Sequence, residues 1–139
     1  MSRKCRTLVV GLLLTILCAC QPDVEARNPS PERPRTQLGL ASYYGPGFHG
    51  ERTASGGIFD QNEMVAAHPT LEFGTVVRVT NLENGRRVLL RVVDRGPYGK
   101  NRRKGTIIDV SKGAARRLSF LRDGLVRVRV DVVRAPDGL

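Results

Sequence analysis

Beyond residue 20 the chain contains no cysteine; Cys5, Cys18 and Cys20 are all it has. A domain following residue 20 therefore has no internal disulfide, even where an oxidising compartment would allow one. There is no apolar run long enough to span a bilayer. The stretch from Leu8 to Leu17 is interrupted by Gly11 and Thr15 and falls short of the ~20 apolar residues a membrane helix needs. The two histidines, His49 and His68, show no metal-ligand spacing, so neither a metal site nor a cofactor is expected. Internal repeats are absent as well. Acidic residues are the minority, 13 Asp and Glu against 23 Lys and Arg, for a formal net charge of +10.

The N-terminus has a recognisable order. Arg3, Lys4 and Arg6 form a basic start, the apolar stretch follows, and Leu17-Cys18-Ala19 leads into Cys20. This describes a signal peptide over residues 1–19. A cysteine directly after the small residue suggests a lipobox, in which the Cys20 thiol takes a diacylglyceryl group. The alternative is an ordinary signal peptide cut beside a cysteine. The lipobox implies a bacterial envelope protein held by a lipid anchor in the cell membrane or the outer membrane, facing the periplasm. Several acyl chains give stable anchoring. Residues 20–37 contain Pro22, Pro29, Pro31 and Pro34 and few apolar residues, so they read as an extended tether. Residues 38–134 are then one domain, with a short tail at 135–139. Export disfavours nucleic acid as the partner of the basic surface. Anionic lipid, teichoic acid or the carboxylates of peptidoglycan remain, beside a merely soluble basic surface.

Strand signals dominate the domain. Thr75–Thr80 and Val88–Val93 are β-branched runs separated by a segment with the hairpin pair Asn84-Gly85. Ile107–Val110 is a third strand. Val126–Val132 alternates Val with charged residues, which predicts a half-exposed strand with Val inside. Leu38–Tyr44 is a plausible opening strand. One helix is expected from Ser111, a capping residue, with Ala114, Ala115 and Leu118 as its apolar stripe. Short strands, one short helix and many glycines suggest a mainly β fold closed into a small barrel.

Three segments concentrate glycine, aromatic and polar residues: Ala41–Gly50, Arg52–Gly56 and Asp94–Tyr98. Such loops on a rigid barrel form a site-like pattern, and flat Tyr and Phe faces suit sugars. Asp94 ends a strand before a Gly-Pro turn. A carboxylic acid there can protonate a glycosidic oxygen, or it can simply cap the turn. His68 precedes Pro69, which favours an extended backbone; its ring is either functional or a structural hydrogen-bonder. Asn81 is expected to end a strand or fix a turn. Asp109 is expected to accept hydrogen bonds within the barrel or to face the cleft near Asp94.

Tyr43-Tyr44-Gly45, Thr53-Ala54-Ser55-Gly56, Ala66-Ala67-His68, Phe73-Gly74-Thr75, Val79-Thr80-Asn81-Leu82, Asp94-Arg95-Gly96-Pro97 and Ile108-Asp109-Val110-Ser111 occur in that order. Together they resemble the rare lipoprotein A (RlpA) family of septal lytic transglycosylases, from about Leu40 to Val132. The resemblance implies a six-stranded double-psi β-barrel. It also implies non-hydrolytic cleavage of peptidoglycan glycan strands, with division-site proteins as candidate partners. It assigns the acid to Asp94, places His68 beside it, and makes Tyr43, Tyr44, His49, Ser55, Arg95 and Tyr98 candidates for substrate contact. Gly57 stands where many members carry glutamate. That departure keeps a second expectation open, a glycan-binding barrel that does not cut, like the expansins.

Overall fold

The computed structural model describes residues 35–136. The expected signal peptide, Cys20 and nearly all of the expected tether lie outside the described residues. Six strands are present: β1 Thr36–Tyr43, β2 Val65–Ala67, β3 Val76–Asn81, β4 Arg87–Asp94, β5 Thr106–Val110 and β6 Val126–Arg134. They close into a barrel in the order β1-β5-β2-β4-β3-β6. The β1/β5 and β2/β4 pairs are parallel and the other four antiparallel. Closure removes the exposed edges that an open sheet of this size would leave.

The alternation read in the sequence sets the inside of the barrel. Val126, Val128 and Val130 of β6 are buried and Arg127 and Arg129 exposed. Val77 and Val79 of β3 face Leu90 and Val92 of β4 across the same core. Each such side chain contributes about 1.5–3 kcal/mol by leaving water. The alternation breaks at Asp131, which is also buried. It accepts a hydrogen bond from Thr36 Oγ1 at 2.8 Å and another from Arg129 Nε at 3.0 Å. This bond to Thr36 ties down the first turn of β1, so the strand starts two residues before the expected boundary at Leu38.

Asn81 fixes the β3–β4 turn, with its amide Nδ2 donating to Leu118 O and its Oδ1 accepting from Glu83 N. The helix α2, Lys112–Arg117, starts at Ser111, whose hydroxyl accepts from Ala114 N at 3.1 Å. Gly113 lets this helix pack: a Cβ there would sit 2.6 Å from Asn62 O. A further helical turn, α1 Gly99–Arg103, was not expected from the sequence. It buries no residue, so it carries no apolar stripe to read.

Candidate active site

Three strands bring two carboxylates to one mouth of the barrel. Ala67, at the end of β2, pairs with Asp94 of β4 on one side and with Asp109 of β5 on the other. Two ladder spacings separate the aspartates, so their Cα atoms are about 10 Å apart. Gly96 follows Asp94 with a φ of +144°, and a Cβ there would meet Asp109 Oδ2 at 3.4 Å. Glycine thus permits both the backbone turn and the approach to the second carboxylate.

Three donors converge on the Asp94 carboxylate. Tyr44 OH donates to Oδ2 at 2.8 Å. The backbone N–H groups of Ala54 and Arg95 donate to Oδ1, each at 2.9 Å. Ser55 N donates to Val93 O just beside them. The loop from Thr53 to Gly57 is therefore fastened to the end of β4 by the same carboxylate it presents to solvent. Thr53 N also donates to Gly57 O, and Thr53 Oγ1 lies 3.0 Å from Ser55 Oγ. At Gly57 an added Cβ would have only Thr53 Oγ1 nearby, at 3.7 Å. A side chain would fit there, so the missing glutamate leaves the loop's frame intact.

Tyr44 is bonded to Asp94 and lies within the influence of Asp109's charge. Burial first, then the hydrogen bond to Asp94 and the charges of Asp94, Asp109 and Tyr98, push its phenol well above the usual range. The phenol stays neutral and donates. Its ring meets Phe48 edge-on at 5.5 Å and lies against Phe59 at 4.3 Å. Phe48 and Tyr98 are exposed beside this pair and supply flat apolar surface. Asp109 accepts a short hydrogen bond from Ser42 Oγ. Burial raises the Asp109 carboxyl above its ordinary value, and the Ser42 bond only partly opposes this.

The other expected site residues fall elsewhere. Tyr43 points the opposite way from Tyr44: its ring packs on Phe120 at 6.0 Å and its hydroxyl donates to Leu121 O. These are the contacts of a tyrosine packed against the barrel. Successive strand residues face opposite sides, so period-2 reading could have separated the two tyrosines. Arg95 is half-buried; its guanidinium donates to His68 O and Leu71 O and lies 3.9 Å from the Phe73 ring centre. His49 is exposed on the loop before the Thr53–Gly57 turn, with Nδ1 accepting from Gln61 N at 3.3 Å.

His68 has its backbone at Asp94 and its ring within the protein. Its backbone N–H donates to Asp94 O at 3.2 Å, but its ring is buried. Nδ1 accepts from Thr70 N at 3.2 Å and Leu71 N at 3.1 Å, while Nε2–H donates to Gln37 Oε1 at 3.1 Å. Both nitrogens are thus engaged within the protein. Burial, with the nearby Arg95 charge, lowers the ring to about 4. A groove of about 410 Å³ between the Thr70–Glu72 turn and the end of β6 includes Gln37 but neither aspartate.

A family profile described as lytic transglycolase matches residues 36–130. The chain belongs to this family. Its relatives include the probable endolytic peptidoglycan transglycosylase RlpA of Synechocystis, 51% identical over 100 residues, 72% of this chain and 30% of that protein. The RlpA of Campylobacter jejuni is 50% identical over 98 residues, 70% of this chain and 34% of that one. The RlpA of Rickettsia bellii is 42% identical over 83% of this chain and 51% of its own. The matched stretch thus spans about a third to a half of these RlpA proteins. Among solved structures, the Streptomyces papain inhibitor superposes with a TM-score of 0.57 at 24% identity, over 72% of this chain and 96% of that one. A Clavibacter michiganensis expansin superposes at 0.55 and 23% identity, over 75% and 53%. These likenesses concern the fold, a double-psi β-barrel. In this family member the barrel mouth holds Asp94, Tyr44 and Asp109 together, and the six-stranded fold expected from the motifs is the one observed.

Proposed function

We propose that this chain is an endolytic lytic transglycosylase of peptidoglycan, anchored by lipid at Cys20 and working on the glycan strands of the envelope during wall remodelling and division. The observation that carries the reading is the Asp94 carboxyl, fixed at an open barrel mouth by Tyr44 OH and two backbone N–H groups. The names of the RlpA relatives support the substrate. In the proposed step the Asp94 carboxylic acid gives its proton to the glycosidic oxygen as the bond to the muramic anomeric carbon breaks. The 6-hydroxyl of the same sugar attacks that carbon and passes its proton to the Asp94 carboxylate. The acid is restored and a 1,6-anhydro end is formed, with no water consumed. General acid catalysis of this kind contributes typically 10²–10⁴-fold.

Tyr44 aims Oδ2, while Tyr98 and Phe48 offer faces to the sugars. Ser55 and His49 rim the same loops. Arg95 and His68 act by position: the Arg95 guanidinium and the His68 ring brace the turn after β2, and Arg95 N holds Asp94. One observation favours a second reading. Asp109 is a second carboxyl in the same mouth, kept neutral to higher pH than a free aspartate. Glycoside hydrolysis uses two carboxyls, one as acid and one to activate water or attack the sugar. Mass spectrometry of glycan fragments released from sacculi decides between them. Anhydro ends support the lytic route, reducing ends the hydrolytic one. Binding without any released fragment would leave only a glycan-binding barrel.

A further inference from the structure

The outer face of four neighbouring strands, β4, β3, β6 and β1, combines exposed arginines with exposed leucines. Register sets its outward residues in rows across the strands. Arg87 pairs with Thr80, Thr80 with Arg129, and Arg129 with Leu38. In the next row Leu89 pairs with Arg78, and Arg78 with Asp131. Asp131 is the only acid in these rows, and it is committed to the scaffold. Burial alone would raise its carboxyl, but the Thr36 and Arg129 hydrogen bonds and the Arg129 and Arg78 charges outweigh that and hold it below the usual range. It does not neutralise Arg87, Arg91 or Arg127, whose exposed guanidinium groups have no hydrogen-bond or ion-pair partner among the described residues.

Two leucines stand among these arginines, Leu38 at 69% and Leu89 at 55% exposure. A soluble polyanion would engage the arginines and leave the leucines in water. A bilayer surface takes both: guanidinium groups pair with lipid phosphates, and apolar side chains enter the headgroup boundary. Strand order supplies the geometry. In the closed ring β3 and β6 lie across from β5 and β2, so the middle of this face is on the far side of the barrel from Ala67 and Asp109, with Asp94 at the end of its marginal strand β4. The chain also enters the barrel on this face, at Thr36, which pairs with Asp131 and follows the proline-rich segment.

We infer that the β4-β3-β6-β1 face docks on the anionic phospholipid headgroups of the membrane to which the N-terminus leads, with β2 and β5 on the side away from the bilayer. The lipid contact stands on the face alone. The test uses residues 20–139, the chain expected after removal of the signal peptide, with Cys20→Ser, so that neither an acyl chain nor the apolar Leu8–Leu17 stretch contributes. Its binding is measured by co-sedimentation with vesicles of phosphatidylcholine alone and with added phosphatidylglycerol. Binding is expected only to the anionic vesicles and should weaken as salt rises. The triple variant Arg87→Gln, Arg91→Gln, Arg127→Gln should bind about 100-fold more weakly, as three basic side chains near a charged membrane imply. Its thermal unfolding should be unchanged, because none of the three has a partner to lose.

The chain contains no tryptophan, so single reporters are clean. Leu89→Trp fluorescence should be quenched by bromolipid in anionic vesicles, and Tyr98→Trp on the mouth side should not. Equal binding to neutral vesicles, undiminished binding of the triple variant, or equal quenching of both reporters would overturn the inference. So would failure to bind anionic vesicles while binding an acidic wall polymer through the same arginines.

Discussion

Replacing His68 by asparagine separates a structural imidazole from a chemical one. In the folded protein the ring titrates at about 4, against an ordinary value of 6.5. The unfolded chain therefore binds this proton more readily, and stability rises with pH between the two values. The difference corresponds to ~3 kcal/mol, fully present above pH 6.5 and lost progressively as pH falls towards 4. An asparagine Oδ1 can take the place of Nδ1 and accept from Thr70 N and Leu71 N, since a short Asx side chain suits bonds two and three residues on. At pH 7 the variant should lose about 1–2 kcal/mol from the missing ring atoms. Urea unfolding at a series of pH values should show the wild type's stability relative to the variant falling by ~3 kcal/mol between pH 7 and pH 4, so that the small advantage at pH 7 is reversed at pH 4. Turnover at pH 7 should stay within about tenfold of wild type, compared with the 10²–10⁴-fold that a proton-transferring group supplies. A pH-independent stability difference would refute the burial argument. A loss of turnover in the larger range with stability intact would return the ring to the chemistry.

Other outcomes follow from the same geometry. Asp109→Asn keeps the acceptor for Ser42 Oγ but removes a buried ionisable group. A carboxyl whose folded value is raised loses stability as pH rises through its range, so the variant should unfold at higher temperature than wild type at pH 7. On the lytic route the pH–rate profile should keep its shape, and loss of a limb would bring Asp109 into the chemistry, as the hydrolytic reading requires. Gly113→Ala puts a methyl against Asn62 O and should cost about 1–3 kcal/mol despite alanine's helix preference, read by thermal denaturation. Cys20→Ala should prevent acylation and move the protein out of the detergent phase on phase separation; retention there would reject the lipid anchor.

Much of the barrel was legible because its strands alternate. Val126, Val128 and Val130 identify their own buried face, and Ser111 marks the start of α2 by its hydroxyl. Strand β2 was not read as a strand, since Val65-Ala66-Ala67 is too short for a period and alanine has little strand preference. The mouth was legible through Asp94 and the glycines around it. The second carboxyl was visible only as an alternative, although Ile108 and Val110 turn inward and leave Asp109 on the other face. His68 could not be placed from its neighbours in sequence. Pro69 constrains the backbone, but the ring's direction depends on Gln37, which comes from another strand. Arg95 could not be placed for the same reason, because its partners are carbonyls of a turn about 25 residues earlier in the chain.

Asp94 is proposed to move the proton in a cleavage that uses no water. Asp94→Asn keeps the side-chain shape, and its Oδ1 can still accept from Ala54 N and Arg95 N. Wild type and variant are compared on the same purified glycan strands, for binding by sedimentation and for products by mass spectrometry. The account predicts 1,6-anhydro ends from wild type, at least a 10²-fold lower yield from the variant, and similar binding by both. Undiminished release of anhydro fragments by Asp94→Asn would contradict it.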